Sequence, residues 1–416
     1  MKKIHYGWFI CLGCFFMIFV TIGLCTSVHS VYQPYLIEQA NLTQSQGSMI
    51  TTVRCIFSFA AVFFVRKFHK KTGLRVGITL SVLFLAAAYI GFALCAHFEV
   101  YLVCAALLGL ANGLGGTVPM SILMHRWFSS RQTLAMGICS AGSGCAALLM
   151  PPILTSIVEN QGLFNAFLFE VILVFIIAVL IFLLIREEPS AKDLLPYHVP
   201  TNIVKEKREL RIHTDSVSHG VVAVVYIVAL FMGAVSTPAF GHMTVLYANA
   251  GIPGENVAFG VSLMGIALIV GKCSFGVVTD RMGGRISTAV FGIFCIAGYV
   301  LCCFAGRGSI PLLYISYFFV GLGVTLATLG IPVWSRELFP AKDFEKTVQR
   351  LTLCYVGGEL IFNIMPGIIA DWTKTYVPAY YIFAIISVTV ILLIEGVYLL
   401  QIKNQETTTI VAKSRS

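Results

Sequence analysis

The chain has 416 residues, of which 58% are apolar and only 11% charged, against about 25% charged in soluble domains. A soluble fold cannot hide this much apolar surface, so lipid is the expected solvent and a soluble enzyme is excluded. The net charge of +9 lies in short loops between apolar runs, which suits a membrane topology signal and not a nucleic-acid patch.

A membrane-crossing helix needs roughly 20 mostly apolar residues. Such runs occur at about 8–30, 46–66, 75–96, 99–124, 132–157, 163–185, 220–246, 256–278, 285–305, 310–334, 347–369 and 379–401. These are spans 1 to 12. They predict an all-α membrane protein of twelve transmembrane helices in two pseudo-symmetric six-helix halves. The opening Met1-Lys2-Lys3 leads straight into the first run without a convincing cleavage site, so span 1 reads as a retained helix. The expected domains are an N-terminal bundle (1–185), a cytoplasmic linker (186–219), a C-terminal bundle (220–402) and a cytoplasmic tail (403–416). The linker carries Glu187, Glu188, Pro189, Pro196 and Pro200 among several basic residues.

Basic residues set the orientation. With the N-terminus inside, nearly all of the 28 lysines and arginines fall on the inner side, among them Arg66, Lys67, Lys70, Lys71 and Arg75 after span 2. Only Arg307 and Lys374 lie in outer loops, and Arg54 and Lys272 lie within spans. The expected location is the cell membrane, multi-pass, with both termini cytoplasmic.

The halves repeat. Gly73-x-Arg75 after span 2 matches Gly283-x-Arg285 after span 8, offset by 210. Trp127-Phe128-x-x-Arg131 after span 4 matches Leu338-Phe339-x-x-Lys342 after span 10, offset by 211. Near-equal offsets at two places indicate duplication of a six-helix unit. Most of the thirteen cysteines lie within apolar runs and no CxxC occurs. They read as packing residues, with neither disulfides nor a metal site expected.

These features resemble the major facilitator superfamily of transporters over the whole chain. The second loop copy, Gly276-x-x-x-Asp280-Arg281-x-Gly283-x-Arg285, is nearly complete, whereas the first keeps Gly73 and Arg75 but has Arg66 and Lys70 in place of the glycine and aspartate. The resemblance implies that Asp280, Arg281 and Arg285 form a cytoplasmic latch. The alternative is a tight, positive-inside turn. Lys272, four positions before Gly276, is similar to the basic residue with which the oxalate/formate antiporter and monocarboxylate transporter families hold a carboxylate. His5-Tyr6-Gly7-Trp8 and the Trp127-to-Arg131 element are also similar to those families. Lysine here replaces their arginine and lacks its bidentate fork.

Ionisable groups inside spans tend to mark function. Lys272 lies about seven residues, or roughly 10 Å, from the inner end of span 8; it is either a substrate-carboxylate ligand or a lysine reaching to the surface. Arg54 in span 2 and Glu359 in span 11 lie roughly 18–20 Å deep. They are expected to pair, as a gate, as part of proton coupling, or as a plain structural ion pair. His29 and His242, near the outer ends of spans 1 and 7, are candidates for proton coupling or ordinary interfacial residues. Glu170 and Glu395 read as packing or pairing groups in peripheral spans. Glycines 109, 113, 115, 116, 137, 142 and 144 mark close helix packing, and Pro151, Pro152, Pro238, Pro332 and Pro366 mark kinks.

No nucleotide-binding motif or cofactor site is visible, so a gradient must supply the energy. The leading expectation is a secondary transporter, working as a monomer by alternating access, that moves a small organic anion (a monocarboxylate or similar) with a proton or counter-solute. The alternatives are efflux of a hydrophobic compound and a transporter-like solute sensor.

Overall fold

The computed structural model describes residues 5–42, 44–192, 194–198 and 218–414, without the side chains of 27–31, 33–34, 44–45, 48, 191–192 and 403–414. Among the described residues twelve helices are long and apolar enough to cross a membrane: Gly7–Thr26, Met49–Thr72, Leu74–Leu94, Phe98–Trp127, Gln132–Gln161, Leu163–Leu184, His219–Gly241, Gly254–Met282, Gly284–Cys302, Ile310–Glu337, Ala341–Thr373 and Val377–Ile402. They match the twelve expected spans, with several extending a turn further. The chain divides into two compact units, Met1–His198 and Val199–Ser416. Among the described residues there is no strand, only one isolated parallel bridge between Phe128 and Tyr197.

Two kinds of apolar surface build each unit. One is sealed between helices, as at Tyr89, Phe92 and Phe167. The other stays outside, as at Ile172, Ile176, Val179 and Leu183 on span 6. A helix apolar on all sides is what a bundle in lipid requires.

Four spans are irregular. Span 1 passes through a wide π-helical stretch, Phe19–Val28, before continuing as His29–Gln39. Span 4 breaks at Gly116 into Phe98–Gly115 and Thr117–Trp127. Span 7 breaks after His219–Ala234 and resumes as Thr237–Gly241 and Met243–Asn249. Span 11 breaks between Phe344–Phe362 and Met365–Thr373. Pro238 and Pro366 each sit in the first turn of a resumed segment, where a missing N–H costs nothing. Pro151, Pro152 and Pro332 instead lie inside continuous helices.

The repeated turn is built the same way twice. Gly73 has φ +77° and Gly283 φ +90°, a region open to glycine and strained for other residues. The Gly73 N–H donates to the His69 carbonyl at 2.9 Å, and the Gly283 N–H to the Thr279 carbonyl at 2.8 Å. Two residues on, each arginine docks on the last span of its own unit. Arg75 Nε donates to the Phe182 carbonyl at 2.7 Å and stacks on the Phe182 ring. Arg285 Nε donates to Glu395 Oε2 at 2.8 Å.

The first part of the expected linker is folded onto the first unit. Trp127 Nε1 donates to the Arg186 carbonyl at 2.9 Å, and the Tyr197 N–H to the Trp127 carbonyl at 2.8 Å. The Tyr197 ring packs against His5, Trp8 and Phe128. Residues 199–217 of that linker lie outside the described residues. The final helix runs without interruption from Val377 to Ser414, so the expected tail continues it.

Candidate functional site

In the first unit, Arg54 is drawn into the interior by two neighbours. Gly109 and Gly113 let span 4 lie backbone-to-backbone on span 2, because a Cβ at either would collide with the Arg54 or Ser58 carbonyl. That contact fixes the Arg54 side chain at 8% exposure. Its Nη1 donates to the Cys25 carbonyl at 2.8 Å. Cys25 lies in the π-helical stretch, where widened turns offer carbonyls to groups outside the helix and are frequent at functional sites. One turn along span 2, Ser58 donates to Asn112 Oδ1 at 2.8 Å, and Asn112 Nδ2 donates to the Thr21 carbonyl at 3.0 Å. A polar seam therefore crosses the first unit through spans 1, 2 and 4.

A second buried group adjoins it. Glu170 is fully buried on span 6. The Tyr32 hydroxyl lies against its carboxyl, and Tyr89 is close by, itself within electrostatic reach of Arg54 and Cys25. Neither Glu170 oxygen, nor either phenol oxygen, makes a hydrogen bond of normal geometry among the described residues.

In the second unit the centre is Glu359. A Cβ at Gly233 would collide with the Tyr355 carbonyl, and one at Gly358 with the Leu230 carbonyl, so spans 7 and 11 touch through bare backbone. The contact brings Glu359 onto the break in span 7. Glu359 Oε1 accepts from Ser236 Oγ at 2.9 Å, Thr237 Oγ1 at 2.6 Å and Tyr355 Oη at 2.9 Å. The Tyr355 and Ser236 hydroxyls are also 2.9 Å apart. Such a set of hydroxyls suits a carboxyl that must be held in one place inside a span.

Lys272, on span 8, is 3% exposed. Its side chain is enclosed by protein and does not spread along the surface. It lies about 15 Å from the Met282 end of its helix. His242 Nδ1 is 2.8 Å from the Pro238 carbonyl, and its ring stacks on Tyr376. The side chain of His29 lies outside the described residues. Of the expected latch residues, Gly276 is buried, Asp280 and Arg281 are exposed, and Arg285 pairs with Glu395. Nearby, Glu337 Oε1 accepts the Gly284 N–H at 3.0 Å and Glu337 Oε2 accepts the Tyr398 hydroxyl at 3.0 Å.

Arg54 and Glu359 belong to different units, and each has partners in its own. Sequence reasoning named both but missed the groups that hold them. Asn112, Ser58 and Thr21 are ordinary polar residues in apolar runs. Ser236-Thr237-Pro238 was the readable signal, since hydroxyls and a proline together inside a span mark a break. Among the described residues no group of three or more His, Cys, Asp or Glu side chains could hold a metal ion.

The chain matches the model of the Major Facilitator Superfamily over residues 14–272 and 222–413. The rat protein named monocarboxylate transporter 12 is 24% identical, over 93% of this chain and 85% of its own. Among solved structures, the fucose:proton symporter of Escherichia coli aligns with a TM-score of 0.66 at 13% identity, covering 94% of this chain and 98% of that one. A human organic anion transporter aligns with a TM-score of 0.63 at 12% identity, covering 93% and 98%. At such identities these two speak for the fold alone. With twelve spans in two repeated halves and a family match across both, the chain is a multi-pass membrane protein that belongs to the Major Facilitator Superfamily of transporters.

Proposed function

We propose that this transporter is a secondary carrier that moves a small monocarboxylate together with a proton by alternating access. The observation that carries the reading is the burial of two cations, Arg54 and Lys272, inside spans. Positive charge enclosed inside spans tends to mark a substrate or ion path, and it favours an anionic solute such as a carboxylate over a cationic one. The relative named a monocarboxylate transporter supports the same class. In this reading Arg54 and Lys272 are the cations that attract the substrate carboxylate. Glu359 exchanges the proton, with His242 and His29 as further proton-coupling groups at the outer ends of their spans. The Gly73–Arg75 and Gly276–Arg285 turns serve as conformational latches. The lysine and arginine distribution supports cytoplasmic termini in the cell membrane.

The test is uptake by the purified chain in proteoliposomes, using labelled mono- and dicarboxylates with and without a pH gradient. Monocarboxylates should accumulate when the gradient drives protons inward, and Lys272→Ala should abolish this. If no carboxylate moves or competes, the anion reading fails. Movement of apolar compounds insensitive to Lys272→Ala would replace it with hydrophobic efflux.

A further inference from the structure

Glu170 is an unusual residue to find at zero exposure. Span 6 is otherwise almost wholly apolar, Leu163–Leu184. Phe167 lies one turn earlier on the same face, and its ring packs on Tyr32 at 4.5 Å and Tyr89 at 6.1 Å between centroids. That packing holds the Tyr32 phenol against the Glu170 carboxyl, with the Tyr89 ring on the same phenylalanine. Both Glu170 oxygens and the Tyr32 and Tyr89 hydroxyls are sealed from solvent, and all four lack a hydrogen bond of normal geometry among the described residues.

Structural carboxyls in spans are normally tied down, as Glu395 is by Arg285 and Glu359 by its hydroxyls. Among the described residues Glu170 forms no salt bridge. The titratable groups around it are Tyr32 from span 1 and Tyr89 from span 3, with Cys25 and Arg54 beyond Tyr89. Span 5, which packs along the same helix, brings no charged group to the carboxyl among the described residues. An ionised carboxylate so enclosed costs several kcal/mol in desolvation without a cation to offset it. A neutral acid does not, and its O–H can serve a phenol oxygen as donor.

We propose that Glu170 is a proton-binding site of the first unit, with the Tyr32 hydroxyl as the group that relays a proton to and from its carboxyl. One proton joins a Glu170 oxygen to give the neutral acid; on release that proton passes to the Tyr32 oxygen as the phenol gives up its own O–H proton to water, so both groups end as they began apart from the carboxylate. The inference rests on the proton-coupled reading above only for its use, not for its existence.

Two measurements test it. In the infrared spectrum of the purified full-length protein, the carbonyl band of a protonated carboxylic acid should persist at neutral pH. Glu170→Gln should remove that band, and Tyr32→Phe should shift it. A spectrum in which Glu170→Gln changes no protonated-acid band at neutral pH overturns the site, whatever the protein transports. In proteoliposomes, a pH gradient of about one unit supports about tenfold accumulation in one-to-one coupling. Glu170→Gln should reduce that to no accumulation, and Glu170→Asp should restore part of it. Unchanged accumulation in Glu170→Gln overturns the coupling role. Should the wild type show the band but move no monocarboxylate, the function reading fails and the proton site stands. Should Glu170→Gln not fold, Tyr32→Phe decides: a band that does not move overturns the relay.

Discussion

Glu170 in the first unit and Glu359 in the second are both carboxyls inside spans, and their surroundings are opposite. Glu170 is fully sealed among aromatic rings and lacks a well-formed hydrogen bond. Glu359 is half-buried and meets three hydroxyls on one oxygen. The second arrangement is anchored by backbone contact between spans 7 and 11, whereas the first is surrounded by packed rings. A fold built from a duplicated unit has kept its turns alike while its polar interiors have diverged. The turns serve architecture and are held by backbone geometry. The interiors serve chemistry, and side chains there are free to change.

Four experiments would break or sharpen that contrast. The largest effect is expected from Gly358→Leu, whose side chain must displace the Leu230 carbonyl. Overpacking of this kind should cost about 3 kcal/mol or more, read as a lowered Tm in detergent; a wild-type Tm would show that spans 7 and 11 are not in backbone contact. Next is Ser236→Ala combined with Thr237→Val, which leaves Glu359 with Tyr355 as its hydroxyl partner. A loss of about 2 kcal/mol in unfolding free energy is expected from donors to a carboxyl, and no loss would remove the cage from the account of Glu359. Gly283→Ala should cost about 1 kcal/mol from left-handed strain alone, since a Cβ there meets nothing within 4 Å. Gly73→Ala should cost about the same, because the Cβ would meet only the end of the Glu187 side chain, which can swing aside; clearly unequal losses would show that the two turns are not equivalent. The smallest effect is expected from Tyr32→Phe. Its hydroxyl makes no hydrogen bond of normal geometry, so stability should stay within about 1 kcal/mol of wild type. Tyr355→Phe should cost clearly more, and a reversed order would invert the comparison of the two carboxyls.

The twelve spans and the duplicated turn were legible because both are local. Run length shows in about 20 apolar residues, and the turn needs only a glycine and a basic residue at fixed spacing. The polar interiors were less legible. Arg54, Lys272 and Glu359 stand out as charges in apolar runs, and Lys272 is indeed buried. Two of the three hydroxyls that hold Glu359, those of Ser236 and Thr237, come from positions more than 100 residues away. Nothing in single-sequence periodicity encodes such a pairing. Glu170 reads in sequence as one more peripheral acid. Only burial without a counter-charge separates it from Glu395, whose arginine lies 110 residues away. The π-helical stretch at Phe19–Val28 was equally hidden, since its composition, Phe-Val-Thr-Ile-Gly-Leu-Cys-Thr-Ser-Val, fits an ordinary helix.

The glycine contact between spans 7 and 11 also has a mechanical meaning. Where side chains interlock, two helices can creep past one another by exchanging rotamers. Where Gly233 sits on the Tyr355 carbonyl and Gly358 on that of Leu230, there is no side chain to exchange, and the joint behaves as a rivet. Bending of these two spans is then confined to the unriveted ends, beyond Val235 on one and beyond Phe362 on the other, where both helices are interrupted. Glu359 and Tyr355 sit beside the rivet, whereas Ser236 and Thr237 lie in the interruption beyond Val235, so flexing there would move two of the three hydroxyls against a fixed carboxyl.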